Sequence, residues 1–136
     1  MTTSPSISLF FCEDYRVEEG GKPMALGVLG PVIEVDYDEG ESFEEREICL
    51  ITHCIFPSSV KQATLELKFE IKSSDSDPFS IEREREFEQA EDESNLAWGA
   101  FIPLKFKLGL SHGARASAVV RCGETSNWSE LNVQVV

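Results

Sequence analysis

The chain has 136 residues, 41% of them apolar and 27% charged, which is the composition of an ordinary globular domain. A domain of this length can bury enough apolar surface to fold without a metal or a disulfide. Its 25 acidic and 12 basic side chains give a net charge of −13, which opposes binding to nucleic acid and anionic membranes and favours basic protein surfaces or cations.

Short apolar runs separated by Gly, Pro, Ser and Asp predict a succession of strands. The runs cover residues 7–12, 26–35, 48–56, 64–72, 97–110, 115–122 and 131–135. Residues 64–72 give the clearest signal, because apolar and charged side chains alternate there with a period of two. Residues 48–56 are apolar at both parities, which predicts a central strand. Pro103 cannot donate a sheet hydrogen bond, so it marks an edge strand or a bulge.

The first two runs predict a hairpin with a turn at Gly20 and Gly21. We expect the first strand to end at Cys12, Glu13 and Asp14 to leave the sheet, and the second strand to return beside the first.

Seven or eight strands at this spacing predict an all-β fold, an antiparallel β-sandwich of the immunoglobulin-like or C2-like kind. Helical periodicity is weak, and residues 86–96 alone could form a short helix, with a loop as the alternative. We expect one domain over residues 7–136, preceded by a disordered polar segment over residues 1–6.

The four cysteines favour a reducing compartment. They are Cys12, Cys49, Cys54 and Cys122, and none belongs to a C-x-x-C pair. Each lies in or at the end of an apolar run, where a free cysteine behaves as a small buried hydrophobe. The first residues lack the basic and apolar regions of a secretion signal, and no apolar run approaches the ~18 residues of a membrane span. We therefore expect a cytoplasmic protein.

Two segments concentrate the negative charge. Residues 34–47 contain eight acids and one Arg, and residues 82–93 contain seven acids and two Arg. In the first segment the candidate binding residues are Asp36, Asp38, Glu39, Glu41, Glu44 and Glu45. In the second they are Glu82, Glu84, Glu86, Glu88, Glu91, Asp92 and Glu93. We expect them to form an acidic surface that engages a basic protein.

Residues 81–88 alternate in a way that sharpens this expectation. If they form a strand, Glu82, Glu84, Glu86 and Glu88 line one face at roughly 6.6–6.8 Å spacing. DNA carries one phosphate per ~3.4 Å of each strand, so two such rows could imitate a nucleic acid. The competing interpretation is an edge strand protected by charge, in which Arg83 and Arg85 point inward to prevent aggregation.

Signals for metals, cofactors and catalysis are weak. Asp75 and Asp77 in one loop, and Asp36 and Asp38 in another, are oxygen ligands of the kind calcium takes, but no complete calcium-loop pattern is present. The cysteines and the two histidines match no zinc-site spacing, and His53 is interpreted as a core residue. We expect no metal, no cofactor and no enzymatic activity. A calcium-dependent binder or an enzyme of unknown chemistry remains an alternative.

The opening of the chain resembles a known family. Residues 9–16 read LFFCEDYR, residues 18–22 read EEGGK, and residues 26–30 read LGVLG. This pattern is similar to that of a family of small uncharacterised bacterial proteins, some of them carried near mobile elements. The resemblance covers about the first 30 residues and implies a β-sandwich, with no site residues to carry over. The role of that family is unknown, but its mobile-element setting favours one version of the acidic binding surface, an inhibitor that imitates nucleic acid; a structural component of a phage or bacterial complex is the alternative.

Overall fold

The computed structural model describes residues 4–36, 45–73, 76–90, 95–111 and 113–135, which form nine strands and no helix. The strands are β1 Ser6–Val17, β2 Pro23–Val28, β3 Val32–Val35, β4 Glu45–Phe56, β5 Gln62–Ser73, β6 Ser76–Glu88, β7 Trp98–Gly109, β8 Arg115–Cys122 and β9 Thr125–Val135. The predicted disordered segment lies partly outside the described residues, and β1 already begins at Ser6.

The strands form two packed sheets, which confirms the predicted all-β sandwich. The four-stranded sheet has the order β2-β1-β4-β7, and the five-stranded sheet has the order β3-β9-β8-β5-β6. All pairings are antiparallel except β3 with β9, which is parallel. This exception differs from the purely antiparallel expectation, and the strand count exceeds the expected seven or eight.

Two predictions of strand position are confirmed. Residues 48–56, which are apolar at both parities, belong to β4, and β4 lies between β1 and β7 as a central strand. Pro103 lies in β7, an edge strand that is paired with β4 alone, so its missing N–H interrupts no ladder on the open side.

The core lies between the two sheets and follows the alternation of the strands. Leu65 and Phe69 of β5 point inward and are buried, while the charged side chains between them point to solvent. Three rings join the sheets: the centroid of Phe69 is 4.7 Å from that of Phe106, which is 5.9 Å from that of Phe11. These rings connect β5 of one sheet to β7 and β1 of the other.

A second, smaller apolar cluster lies on the outer face of the four-stranded sheet, away from the core. It contains Cys12, Cys49 and Ile51, each 0% exposed. The rings of Tyr15 and Phe101, with centroids 6.2 Å apart, lie against it. This cluster explains why β4 is apolar at both parities: both of its faces are covered, one by the opposite sheet and one by side chains of its own sheet.

The expected end of the first strand was wrong. β1 continues past Cys12 to Val17, and Asp14 pairs with Leu26 of β2. The extension is possible because a short connection over residues 18–22 closes the hairpin, with the amide of Gly21 donating to the carbonyl of Glu18 at 2.9 Å. The turn predicted at the paired glycines is confirmed.

The second apolar run is not one strand. It divides into β2 and β3, which belong to different sheets. The chain crosses between them at residues 29–31, where the amide of Leu29 donates to Phe11 in one sheet and the carbonyl of Pro31 accepts from Asn132 in the other. Gly30 and Pro31 supply the break, since neither favours continuation of a strand.

The predicted short helix over residues 86–96 was wrong for its first residues. β6 extends to Glu88, so this part of the segment is strand. The alternation of residues 81–88 continues to that point, and hydrogen bonding to β5 stabilises an extended backbone there. Residues 91–94 lie outside the described part of the chain.

Candidate acidic binding surface

The four described glutamates of the second acidic segment, Glu82, Glu84, Glu86 and Glu88, lie on one face of β6, as the alternation predicted. In the pairing with β5, Glu82 is opposite Lys68, Glu84 is opposite Glu66, and Glu88 is opposite Gln62. These β5 residues alternate with the buried Leu65 and Phe69, so both sets point away from the core. We call Glu82, Glu84, Glu86 and Glu88 the acidic row.

Strand β6 is an edge strand, so the acidic row borders solvent on two sides. The alternate residues of β6, Arg83 and Arg85, are opposite Leu67 and Leu65 and therefore share the inward parity. This is the arrangement expected for a charge-protected edge. The same arrangement also fits an acidic binding surface. The two interpretations differ in whether the glutamates of the row have neutralising partners within the protein.

The ends of the acidic row have polar partners. The Nζ of Lys68 lies 3.9 Å from a carboxylate oxygen of Glu82, with both side chains more than 70% exposed. The Nε2 of Gln62 donates to Glu88 at 3.1 Å. An exposed ion pair of this length contributes little to stability.

The centre of the row lacks such partners. Glu84 faces Glu66 across the strands, a position at which side chains are roughly 4.5–5.5 Å apart at Cβ. Like charges directly opposite each other destabilise a sheet. Among the described residues no cation lies within ion-pair distance of Glu84 or Glu86. Glu66 has Arg121 as its neighbour on the other side, in β8.

A continuous line of side chains connects the acidic row to an exposed aromatic ring. Across the outer face of the five-stranded sheet, Glu82 pairs with Lys68, Lys68 with Val119, and Val119 with Trp128. Trp128 is 69% exposed and Val119 is 41% exposed. The line crosses three strand spacings, or roughly 14 Å. Large exposed aromatic residues are enriched at binding hot spots.

For Trp98 and Trp128, each of which follows a polar stretch and starts a strand-like run, the sequence favours capping of the core over the alternative of anchoring a ligand. Trp98 caps the core: it packs on Phe56 with centroids 4.4 Å apart and donates from Nε1 to the carbonyl of Val60 at 2.7 Å. Trp128 does not. The signal was present in β9, since Leu131 and Val133 fix the inward parity and Trp128 has the opposite one.

The described candidates of the first acidic segment lie in or next to different strands from the acidic row. Asp36 directly follows β3, and β3 and β6 are the opposite edges of the five-stranded sheet. Glu45 opens β4 in the other sheet, where it pairs with Gly109. The remaining candidates lie outside the described residues; they are Asp38, Glu39, Glu41, Glu44, Glu91, Asp92 and Glu93.

No metal centre is formed by the described residues, among which no three His, Cys, Asp or Glu side chains are placed to hold an ion. Asp38 and Asp75, which belong to the two possible calcium loops, and His112 lie outside those residues. His53 is exposed on the outer face, so its interpretation as a core residue was wrong. It has the outward parity of Cys49 and Ile51, and Phe101 lies directly opposite it in β7, with ring centroids 6.4 Å apart.

The cysteines are free thiols suited to packing. Cys12, Cys49 and Cys54 are buried, and Cys122 is partly buried. Burial, with a smaller contribution from Cys49, raises the pKa of Cys12 to about 11. Burial likewise raises the pKa of Cys54 to about 11. A nucleophilic cysteine needs a lowered pKa, so these thiols are poorly suited to catalysis.

Comparison with known proteins adds no family. A scan against protein-family models finds no match, and a search of curated proteins finds no significant match. No helix in the described part of the chain is long and apolar enough to cross a membrane.

Proposed function

We propose that the protein is a non-enzymatic binding module that engages a basic protein through the outer face of its five-stranded sheet. The observation that carries the proposal is the facing pair Glu66 and Glu84 at the centre of the acidic row. A sheet that needed only a protected edge would gain by placing Lys opposite Glu, as it does with Lys68 and Glu82. Glu66 and Glu84 instead repel each other, and a Lys or Arg of a partner would relieve that repulsion.

The proposed partner surface has two parts. A basic patch would face the acidic row, and an apolar hollow roughly 14 Å away would receive Trp128. Charge complementarity would raise the association rate and lose strength with salt, because exposed charges are screened over about 8–10 Å. Burial of Trp128 would supply the part of the affinity that salt does not weaken.

The same face argues against close imitation of nucleic acid. A phosphate-like double row would need acids at every outward position of β5, but Lys68 and Lys72 alternate there with Glu66 and Glu70. The apolar pair of Val119 and Trp128 has no counterpart in a phosphate backbone. We therefore favour an ordinary basic protein surface over a nucleic-acid groove as the partner.

The test is affinity capture from nuclease-treated lysate of the native host, followed by titration of the purified captured protein. The variant changes Glu82, Glu84, Glu86 and Glu88 to Gln. Its matched control changes four exposed glutamates elsewhere to Gln, namely Glu13, Glu18, Glu19 and Glu124. Both variants lose four negative charges, so a difference between them reports position rather than net charge.

We expect the row variant to weaken the captured complex at least tenfold at low salt, and the control variant to leave it nearly unchanged. We expect Trp128→Ala to weaken it at high salt as well. Equal binding by wild type and the row variant would assign the row to edge protection. Self-association that persists at low and high salt would instead support an assembly protein.

A further inference from the structure

The cleft between the two open edges of the sandwich lies beside the acidic row, and one member of that row, Glu84, contributes to its lining. Strands β6 and β7 are the edge strands on the same side of the two sheets, and a cavity of about 210 Å³ lies between them. Its apolar walls come from Leu65, Leu67 and Val120 of one sheet and from Ile102 and Leu104 of the other. Thr52, which is 3% exposed, lies at the cleft as a buried polar side chain.

Two arginines border this apolar space. Arg83 and Arg85 hold the inward positions of β6, opposite Leu67 and Leu65, and both line the cleft. Glu84, which lies between them in sequence, also borders the cleft, but its side chain has the outward parity and faces Glu66. The cleft therefore combines an apolar interior with two cations at its border.

The guanidinium groups have spare hydrogen-bonding capacity. Arg83 donates from Nη1 to the carbonyl of Glu82 at a long 3.4 Å. The guanidinium of Arg85 lies 5.2 Å from the centre of the Phe87 ring. Neither forms an ion pair with a carboxylate of the described residues. Each guanidinium offers five N–H donors in a geometry that matches a carboxylate.

We propose that this cleft binds an amphipathic carboxylate, a medium-chain fatty acid in chemical class, with its carboxylate on Arg83 and Arg85 and its chain between the sheets. Charge complementarity selects the head group, and the apolar walls select the tail. A 150 Å³ apolar cavity accommodates the six carbons of benzene, so 210 Å³ corresponds to about eight carbons. The probe of matching size is octanoate.

The experiment titrates the full chain with three ligands and follows backbone amide shifts by NMR and heat by calorimetry. Octanoate carries head and tail, acetate carries the head alone, and 1-octanol carries the tail without charge. We expect octanoate to bind about tenfold or more tightly than either of the others. We expect the shifted amides to include those of Leu65 and Ile102.

The variant changes Arg83 and Arg85 to Gln, and the matched control changes the exposed Arg16 and Arg121 to Gln. All four side chains are exposed, so both proteins should stay folded, which circular dichroism verifies. We expect the variant to weaken octanoate binding about tenfold or more and the control to leave it unchanged.

Several results would overturn the proposal. They are the absence of octanoate binding, equal binding of octanoate and 1-octanol, equal binding of octanoate and acetate, and equal effects of the two variants. If the cleft variant self-associates more but binds octanoate as wild type does, the arginines serve edge protection alone. None of these results depends on a protein partner of the acidic row.

Discussion

Replacing Phe69 with Ala tests how the two sheets are held together. The side chain is 1% exposed, and its ring lies 4.7 Å from that of Phe106 in the opposite sheet. Truncating a buried Phe to Ala costs about 3–5 kcal/mol, through lost burial and the cavity left behind. At about 4 °C per kcal/mol for a chain of this size, we expect Tm to fall by roughly 12–20 °C. Domains are stable by about 5–15 kcal/mol, so the variant should still fold at 25 °C.

Phe79→Ala is the matched control, because it makes the same chemical change on the partner strand. Phe79 lies opposite Ile71 but is 53% exposed. Because Phe79 is only about half buried, its side chain contributes about half of the ~1.5–3 kcal/mol that full burial gives. We therefore expect Phe79→Ala to lower the free energy of unfolding by about 1 kcal/mol. Denaturant titration of both variants gives the two free energies of unfolding. Equal losses at the two positions, or a loss below about 1 kcal/mol for Phe69→Ala, would refute the sheet packing described above.

Three smaller predictions concern single side chains. At pH 8 the raised pKa of Cys12 leaves a thiolate fraction about a hundredfold below that of an ordinary thiol. Burial raises the pKa of Cys122 too, but Cys122 is partly exposed whereas Cys12 is 0% exposed, so mass spectrometry should find Cys122 alkylated first. Trp98→Phe removes the hydrogen bond to Val60 and should cost about 1 kcal/mol in calorimetry, and an unchanged Tm would contradict that bond. Gly27 has φ of +65°, so Gly27→Ala should lower stability by about 1–2 kcal/mol in urea, whereas an unaltered midpoint would argue against that backbone conformation.

The parts of the fold that follow from local alternation were predictable from sequence. Residues 64–72 and the acidic row show a period of two, and the structure places each set on one face as the period requires. The turn at Gly20 and Gly21 was also predictable from local sequence, because glycine adopts positive φ without strain and both residues do so.

The parts that depend on distant pairing were not predictable. An apolar run does not say where it changes sheets, so the division of residues 26–35 into β2 and β3 escaped notice. The extension of β1 beyond Cys12 was hidden because Glu13 and Asp14 resemble loop residues, although their backbone pairs with β2.

The candidate site was half predictable. Alternation identified the acidic row and the inward parity of Arg83 and Arg85. It could not show that Glu84 faces Glu66, because that contact depends on the register between two strands. The alignment of Trp128 with Glu82 depends on three successive registers, and no local pattern encodes it.

The parallel pairing of β3 with β9 has a consequence for how the chain folds. Val32 pairs with Asn132, one hundred residues further along the chain. The hairpins β1–β2, β5–β6 and β8–β9 can form early from neighbouring segments, but β3 gains its sheet partner only after β9 has been made. Chains dominated by such distant pairings fold on the millisecond-to-second scale, because loop closure precedes the gain from contact. On a ribosome, the edge of β3 would therefore stay open while nearly all of the domain is synthesised, which is the interval in which a chaperone would protect it.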